Sequence, residues 1–396
     1  MAASGSAPKR VAAKTTRQPS ATHAPTALEV DELLADAGTS IVVVCGSGGV
    51  GKTTTAASLA LRAAEQGRKV CVLTIDPARR LAQSLGLVEL DNTPRPVVGI
   101  DTSAGGSLDA MMLDMKSTFD EVVIAHASKE KSAEILSNPF YVALSSSFAG
   151  TQEYMAMEKL GQLHAEGAWD LIIVDTPPSR SALDFLDAPE RLSALLDGRF
   201  IKLLLAPAKG PARLLSTGFG VVTSALNKVL GSQVLTDMQT FIAAFDTLFG
   251  GFRERARQTF ALLQDDRTAF LVIATAEPAA MREASYFVER LAADQMPLAG
   301  LVVNRVHDSR LVPISVVQAQ AASGRLADGN SYEQAVGELL DVHARRLRVA
   351  ERENRLRERF SAAHVEVPVV AIPALAGDVH DLEGLRLVGN SLANQG

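Results

Sequence analysis

Gly46-Ser47-Gly48-Gly49-Val50-Gly51-Lys52-Thr53 decides the reading of this chain. The stretch has the spacing G-x-x-x-x-G-K-[ST], in which a glycine-rich turn wraps phosphate with backbone N–H groups and a lysine follows. Its context agrees. Ile41 to Cys45 ahead of it is a short apolar run, and Thr54 to Gly67 behind it has the apolar periodicity of a helix. The loop therefore joins a strand to a helix N-terminus, where free amides and the helix dipole favour an anion. Gly46, Ser47, Gly48, Gly49, Val50 and Gly51 form the cradle, and Lys52 neutralises β- and γ-phosphates. Thr53 is placed to ligate Mg²⁺, and Thr54 to bond an α-phosphate oxygen.

Working outward, five further apolar runs follow: Val70 to Ile75, Leu171 to Asp175, Ala269 to Thr275, Ala299 to Asn304 and Val367 to Ile372. They are near-continuous rather than alternating, as in strands covered on both faces, and helical patterns separate them. The expected fold class is α/β: a P-loop NTPase with a doubly wound, mostly parallel sheet and an inserted helical subdomain. About 95 residues separate Ile75 from Leu171 and about 93 separate Asp175 from Ala269, too many for simple crossovers. Helical insertions are thus expected at roughly 105–165 and 186–265 within one domain of residues 29–396. The stretch from Phe200 to Phe270 holds eight of the fourteen phenylalanines, with Phe241, Phe245, Phe249 and Phe252 on one helical stripe. The earlier insertion holds Met111, Met112, Met115, Met155 and Met157. Either set reads as core or as a groove for an apolar helix.

Two acids complete the candidate site. Asp175, ending the run Leu171 to Asp175, is expected to hold Mg²⁺ through water, and Thr176-Pro177-Pro178-Ser179 makes a stiff loop suited to sensing the γ-phosphate. Asp76 follows a strand and precedes Pro77-Ala78-Arg79-Arg80. It is either the carboxylate that orients attacking water or a helix N-cap. Arg79 and Arg80 read as a solvated face, with phosphate contact as the alternative.

Composition bounds the rest. The 396 residues carry 39 Lys+Arg against 45 Asp+Glu, a net charge of −6, so no global basic field collects nucleic acid. Cys45 and Cys71, the two cysteines, are far apart and set in apolar runs, which excludes a disulfide framework and fits a reducing cytoplasm. No apolar stretch has the roughly 18 residues of a membrane span. Residues 1–28, with Lys9, Arg10, Lys14 and Arg17 and no acid, read as a disordered tail. Glu338 to Phe360 interleaves seven arginines with glutamates and reads as a helix with a solvated outer face.

The loop Gly46 to Thr55, Leu73-Thr74-Ile75-Asp76-Pro77-Ala78, Asp175-Thr176-Pro177-Pro178 and Val302-Val303-Asn304-Arg305 occur in a telling order. In that order and spacing the chain resembles the arsenite-pump and tail-anchored-protein targeting ATPase family, in its bacterial anion-transporting ATPase branch. The resemblance, over Glu32 to about Leu392, implies an ATPase that dimerises around ATP and moves a helical subdomain. It implies that Asp76 activates water, that Asp175 is the second-switch aspartate, that Asn304 reads the adenine, and that the stretch from Pro373 to Gly384 flanks the base. Three features depart from the family. Ser47 stands where members carry a lysine that reaches the partner's phosphates. The Cys-x-x-Cys zinc clamp of eukaryotic members is absent, and two cysteines cannot build the three-cysteine arsenite site.

The function so implied is a cytoplasmic Mg²⁺-dependent ATP hydrolase acting on a partner or cargo, with direct arsenite sensing disfavoured. Its cofactor is Mg²⁺, and its expected partner is a second ATPase subunit: a lysine-bearing paralogue or a second copy. Two alternatives stay open. One is a targeting or chaperone module for hydrophobic helices or membrane proteins, peripherally associated with a membrane. The other is a partition-type positioning ATPase using the basic N-terminal segment.

Overall fold

In a computed structural model, the protein is described over residues 27–76, 80–139, 141–142, 145, 151–177, 254–307 and 314–393. The phenylalanine stripe Phe241 to Phe252 and the residues Pro77 to Arg79, Pro178 and Ser179 lie outside them.

Among the described residues, eight strands form one sheet in the order β3-β4-β2-β5-β1-β6-β7-β8. They are β1 (Ile41–Gly46), β2 (Lys69–Thr74), β3 (Arg95–Pro96), β4 (Ser107–Met112), β5 (Leu171–Asp175), β6 (Thr268–Thr275), β7 (Leu298–Val306) and β8 (Val369–Pro373). All neighbours are parallel except the edge pair β3–β4. β1, β5 and β6 are buried almost throughout, which is why their sequences read as unbroken apolar runs. β1 pairs with β5 on one side and β6 on the other, so the loop after it emerges at the middle of the sheet's carboxyl edge.

Helices cover the sheet: α1 (Val30–Ala35), α2 (Lys52–Glu65), α3 (Arg80–Ser84), α4 (Met115–His126), α5 (Lys129–Ser137), α6 (Thr151–Glu166), α7 (Pro278–Ala293), α8 (Val316–Leu326), α9 (Ser331–Ala363) and α10 (Leu382–Ala393). α2 buries Ala56, Ala57, Ala60 and Ala63, small residues that let it lie close against the sheet. α9 starts in a capping box of Asn330 and Glu333 and turns Ala344, Leu347, Ala350 and Phe360 inward. Six of the seven arginines between 338 and 360 are exposed, and Arg357 is half-buried, in keeping with the solvated outer face expected of this helix. Among the described residues no helix is long and apolar enough to cross a membrane.

Two expectations are revised and one open reading is narrowed. The stretch from 105 is not helical at its start: Ser107–Met112 is strand β4, paired in parallel with β2. Its Asp109, Ala110 and methionines have weak strand preference, and partnership with β2 overrides it. Asp109 is held by the Trp169 indole, whose Nε1 donates to Oδ2 at 2.8 Å. Met111, Met155 and Met157 are fully buried, so they are core and not a groove. The fold also begins before residue 29, since Ala27 bridges to Val369 and Leu28 is buried.

Candidate functional site

The loop between β1 and α2 is built on glycines whose backbones no other residue would adopt readily. Gly46 has φ 147°, and a Cβ there would stand 2.1 Å from the Ile273 carbonyl oxygen of β6. Gly51 has φ 96°, caps α2 in the left-handed region, and would drive a Cβ to 2.2 Å from Asn304 Nδ2. Lys52 is buried, and its Nζ donates to the Ser47 carbonyl at 2.9 Å. Burial lowers the Lys52 pKa, opposed by the charges of Asp175 and Asp76.

Asp175 is wholly buried at the end of β5. Thr74, across the β2–β5 pair, donates its hydroxyl to Oδ2 at 2.9 Å. Burial pushes the Asp175 carboxyl up to about 6, against the Thr53 and Thr74 hydroxyls and the Lys52 charge. Oδ1 closes no hydrogen bond among the described residues, although the Thr53 hydroxyl is near enough to favour the ionised form. A buried, orphaned carboxylate oxygen beside a threonine hydroxyl fits a hydrated divalent cation. Thr176 continues the motif: its Oγ1 donates to the Val44 carbonyl at 2.9 Å, tying the segment after β5 to β1.

A cavity of about 990 Å³ lies at the carboxyl edge of the sheet, with Lys52 and Thr53 on its wall. Gly49, Gly51, Lys52, Thr53, Thr54, Asp76, Asn304 and Pro373 line it, so the residues expected from the loop, β2, β7 and β8 converge. Gly46, Ser47, Gly48, Val50 and Asp175 are not part of that wall. Asp175 lies wholly buried, with Lys52 and Thr53 near its carboxyl. Asp76 is half-buried, and its charge reaches both Lys52 and Asp175.

Asn304 is more than a cavity residue. Its Nδ2 donates to the Val50 carbonyl at 2.8 Å, and its Oδ1 accepts the Arg305 N–H at 2.9 Å. The β7–β8 register slips between Val303 and Val306, and Arg305 there takes φ 58°. This irregularity re-aims the strand end so that Asn304 braces the phosphate loop and Arg305 Nη1 reaches the Gly49 carbonyl at 3.4 Å. Sequence reading also missed Thr74, His307 and Glu353. The His307 N–H donates to Glu353 Oε2 at 2.8 Å and its Nδ1 lies 2.9 Å from Oε1, which ties α9 to the cavity wall. Only the position of His307 three residues after Asn304 hinted at this; nothing in the sequence marks Glu353 among the many glutamates of α9. Cys45 and Cys71 are buried, and burial pushes the Cys45 thiol up to about 12 and raises Cys71 as well.

Comparison with known proteins identifies the family. A family model described as anion-transporting ATPase matches residues 39–327. The ATPase get3 of Schizosaccharomyces japonicus is 24% identical over 277 residues, covering 70% of this chain and 78% of that protein. The ATPase GET3 of Ajellomyces dermatitidis is 26% identical over 268 residues, covering 67% and 72%. The ATPase ASNA1 homolog 2 of Paramecium tetraurelia is 27% identical over 272 residues, covering 67% and 75%. With a phosphate loop, a buried acid and a shared cavity in place, the chain belongs to the anion-transporting ATPase family.

Proposed function

We propose that the protein is a Mg²⁺-dependent ATP hydrolase that couples nucleotide state to a partner or an apolar cargo. The observation that carries this reading is the cavity in which Lys52, Thr53 and Thr54 meet Asp76, Asn304 and Pro373. Mg²⁺, when bound, neutralises charge on the β- and γ-oxygens. Thr53 and, through water, Asp175 are the residues that would hold it.

Lys52 is parked on the Ser47 carbonyl and exchanges that bond for phosphate oxygens. The oxygen of water, aligned by Asp76, bonds to the γ-phosphorus as the bond to the β–γ bridging oxygen breaks. ADP departs with the electron pair, and the proton from water passes by way of the Asp76 carboxylate to solvent. Asn304 keeps its second amide N–H for a base nitrogen while the first braces the loop. Asp76→Asn is expected to lower turnover at least about 100-fold with ATP-analogue affinity within about threefold. Unchanged turnover in that variant removes Asp76 from the reaction.

The finer reading is a cytoplasmic dimer switch. Ser47 leaves this chain without a lysine to offer a second subunit, so a lysine-bearing paralogue is the partner that would complete an asymmetric pair. The chemistry of the stripe Phe241, Phe245, Phe249 and Phe252 suits an apolar helix as cargo. Nucleotide-dependent binding of a hydrophobic peptide, weakened by Phe245→Ser and Phe249→Ser, supports that cargo; no binding in any nucleotide state rejects it.

A further inference from the structure

We propose that Arg80 is a catalytic residue: its guanidinium meets the γ-phosphate from within the same chain and stabilises the charge of hydrolysis, in place of the lysine that Ser47 lacks. The proposal rests on the ATPase reading above.

Three observations converge on it. Arg80 opens α3, four residues beyond Asp76, and lines the same cavity wall as Lys52, Thr53 and Asp76. Its charge is felt at the Lys52 ammonium, which marks it as a neighbour of the phosphate lysine. Second, it is uncommitted. Arg62 is paired with Asp31, Arg255 with Glu158, Arg290 with Asp294 and Arg386 with Glu65, whereas the exposed Arg80 guanidinium forms no ion pair or hydrogen bond among the described residues. An arginine left without a carboxylate beside a buried lysine is disfavoured unless an anion joins them.

The third observation is the charge balance. Among the described residues the wall carries Lys52, Arg80 and Arg305 against Asp76 and Asp378. Arg305 is drawn to the Gly49 carbonyl, and Ser47 contributes only a buried hydroxyl with no hydrogen-bond partner. Among the described residues, Arg80 is therefore the cation on the Asp76 side that remains for the terminal phosphate. A planar, always-charged fork suits two phosphoryl oxygens at once. An arginine supplied in cis acts this way in other phosphoryl-transfer enzymes, with effects of roughly 10³-fold or more.

The test uses the purified full chain, Arg80→Ala, and Arg80→Gln as a second variant that keeps side-chain bulk should alanine disturb α3. Two quantities are read: steady-state ATP turnover, and affinity for Mg²⁺–ADP with and without fluoroaluminate, a mimic of the phosphoryl group in transit. Expected are a turnover loss of about 100-fold or more and a comparable loss of the preference for ADP–fluoroaluminate, with ADP affinity within about threefold. Unchanged turnover in both variants overturns the proposal. So does an equal loss of ADP and ADP–fluoroaluminate affinity, which marks Arg80 as a general anion attractor. If the unsubstituted chain, alone and mixed with a lysine-bearing paralogue, neither hydrolyses ATP nor prefers ADP–fluoroaluminate, the ATPase reading itself falls, and this inference with it.

Discussion

Asp175 shows how one residue can be placed against stability. Its carboxyl, ordinarily near 3.8, is held by burial at about 6. Between those values the folded chain keeps a proton that the unfolded chain has lost, so stability declines as pH rises from about 4 to about 6 and stays lower above. A shift of about two units corresponds to about 3 kcal/mol. Asp175→Asn keeps an oxygen to accept from Thr74 and removes the charge. It is expected to stabilise the nucleotide-free protein at pH 7.5 by up to about 3 kcal/mol and by less at pH 5, in urea unfolding. The same variant should lose Mg²⁺-dependent hydrolysis. Equal stability at both pH values would place the burial penalty elsewhere. The acid itself was legible because it ends an apolar run after a phosphate loop; its burial and its bond to Thr74 were not, since they depend on β2 lying beside β5.

At the scale of elements, α9 is the part that the sequence describes well in character and poorly in attachment. Its arginine–glutamate pattern predicts a solvated face, and capping by Asn330 and Glu333 explains where it starts. Glu353 breaks the pattern by being buried and bonded twice to His307 at the end of β7. Glu353→Ala leaves the His307 N–H without its acceptor, which costs about 1–3 kcal/mol. Denaturant unfolding should show that loss, and amide exchange should rise over 345–363 relative to α2. A variant as stable and as protected as the parent would mean that apolar packing of Leu347 and Phe360 alone holds the helix. β4 illustrates the opposite failure of reading. Its composition favours helix, and only the neighbouring β2 edge makes it a strand.

For the whole molecule, the sheet brings residues from 49 to 388 to one cavity, while Ser47 stands where the family resemblance implies a cross-subunit lysine. The assembly state is therefore the informative measurement. Native mass spectrometry of the complex from its own cells, in Mg²⁺ and a non-hydrolysable ATP analogue, is expected to show a dimer. A lysine-bearing second subunit supports the asymmetric pair. A homodimer or monomer rejects that pairing and leaves hydrolysis to the cations of a single chain.

Short-range spacing and unbroken apolar runs carry the phosphate loop, the parallel sheet class and the family, and they single out Asp76 and Asp175 as candidate acids. Which distant groups meet depends on the folded chain. The left-handed turn at Arg305 and the β7–β8 slip aim Asn304 at the Val50 carbonyl 254 positions away. The pairing of β2 with β5 puts Thr74 on Asp175, and the cavity sets Arg80 beside Lys52 and Asp76. Backbone geometry and strand order create those contacts, and neither is written in the local identity of the residues that make them.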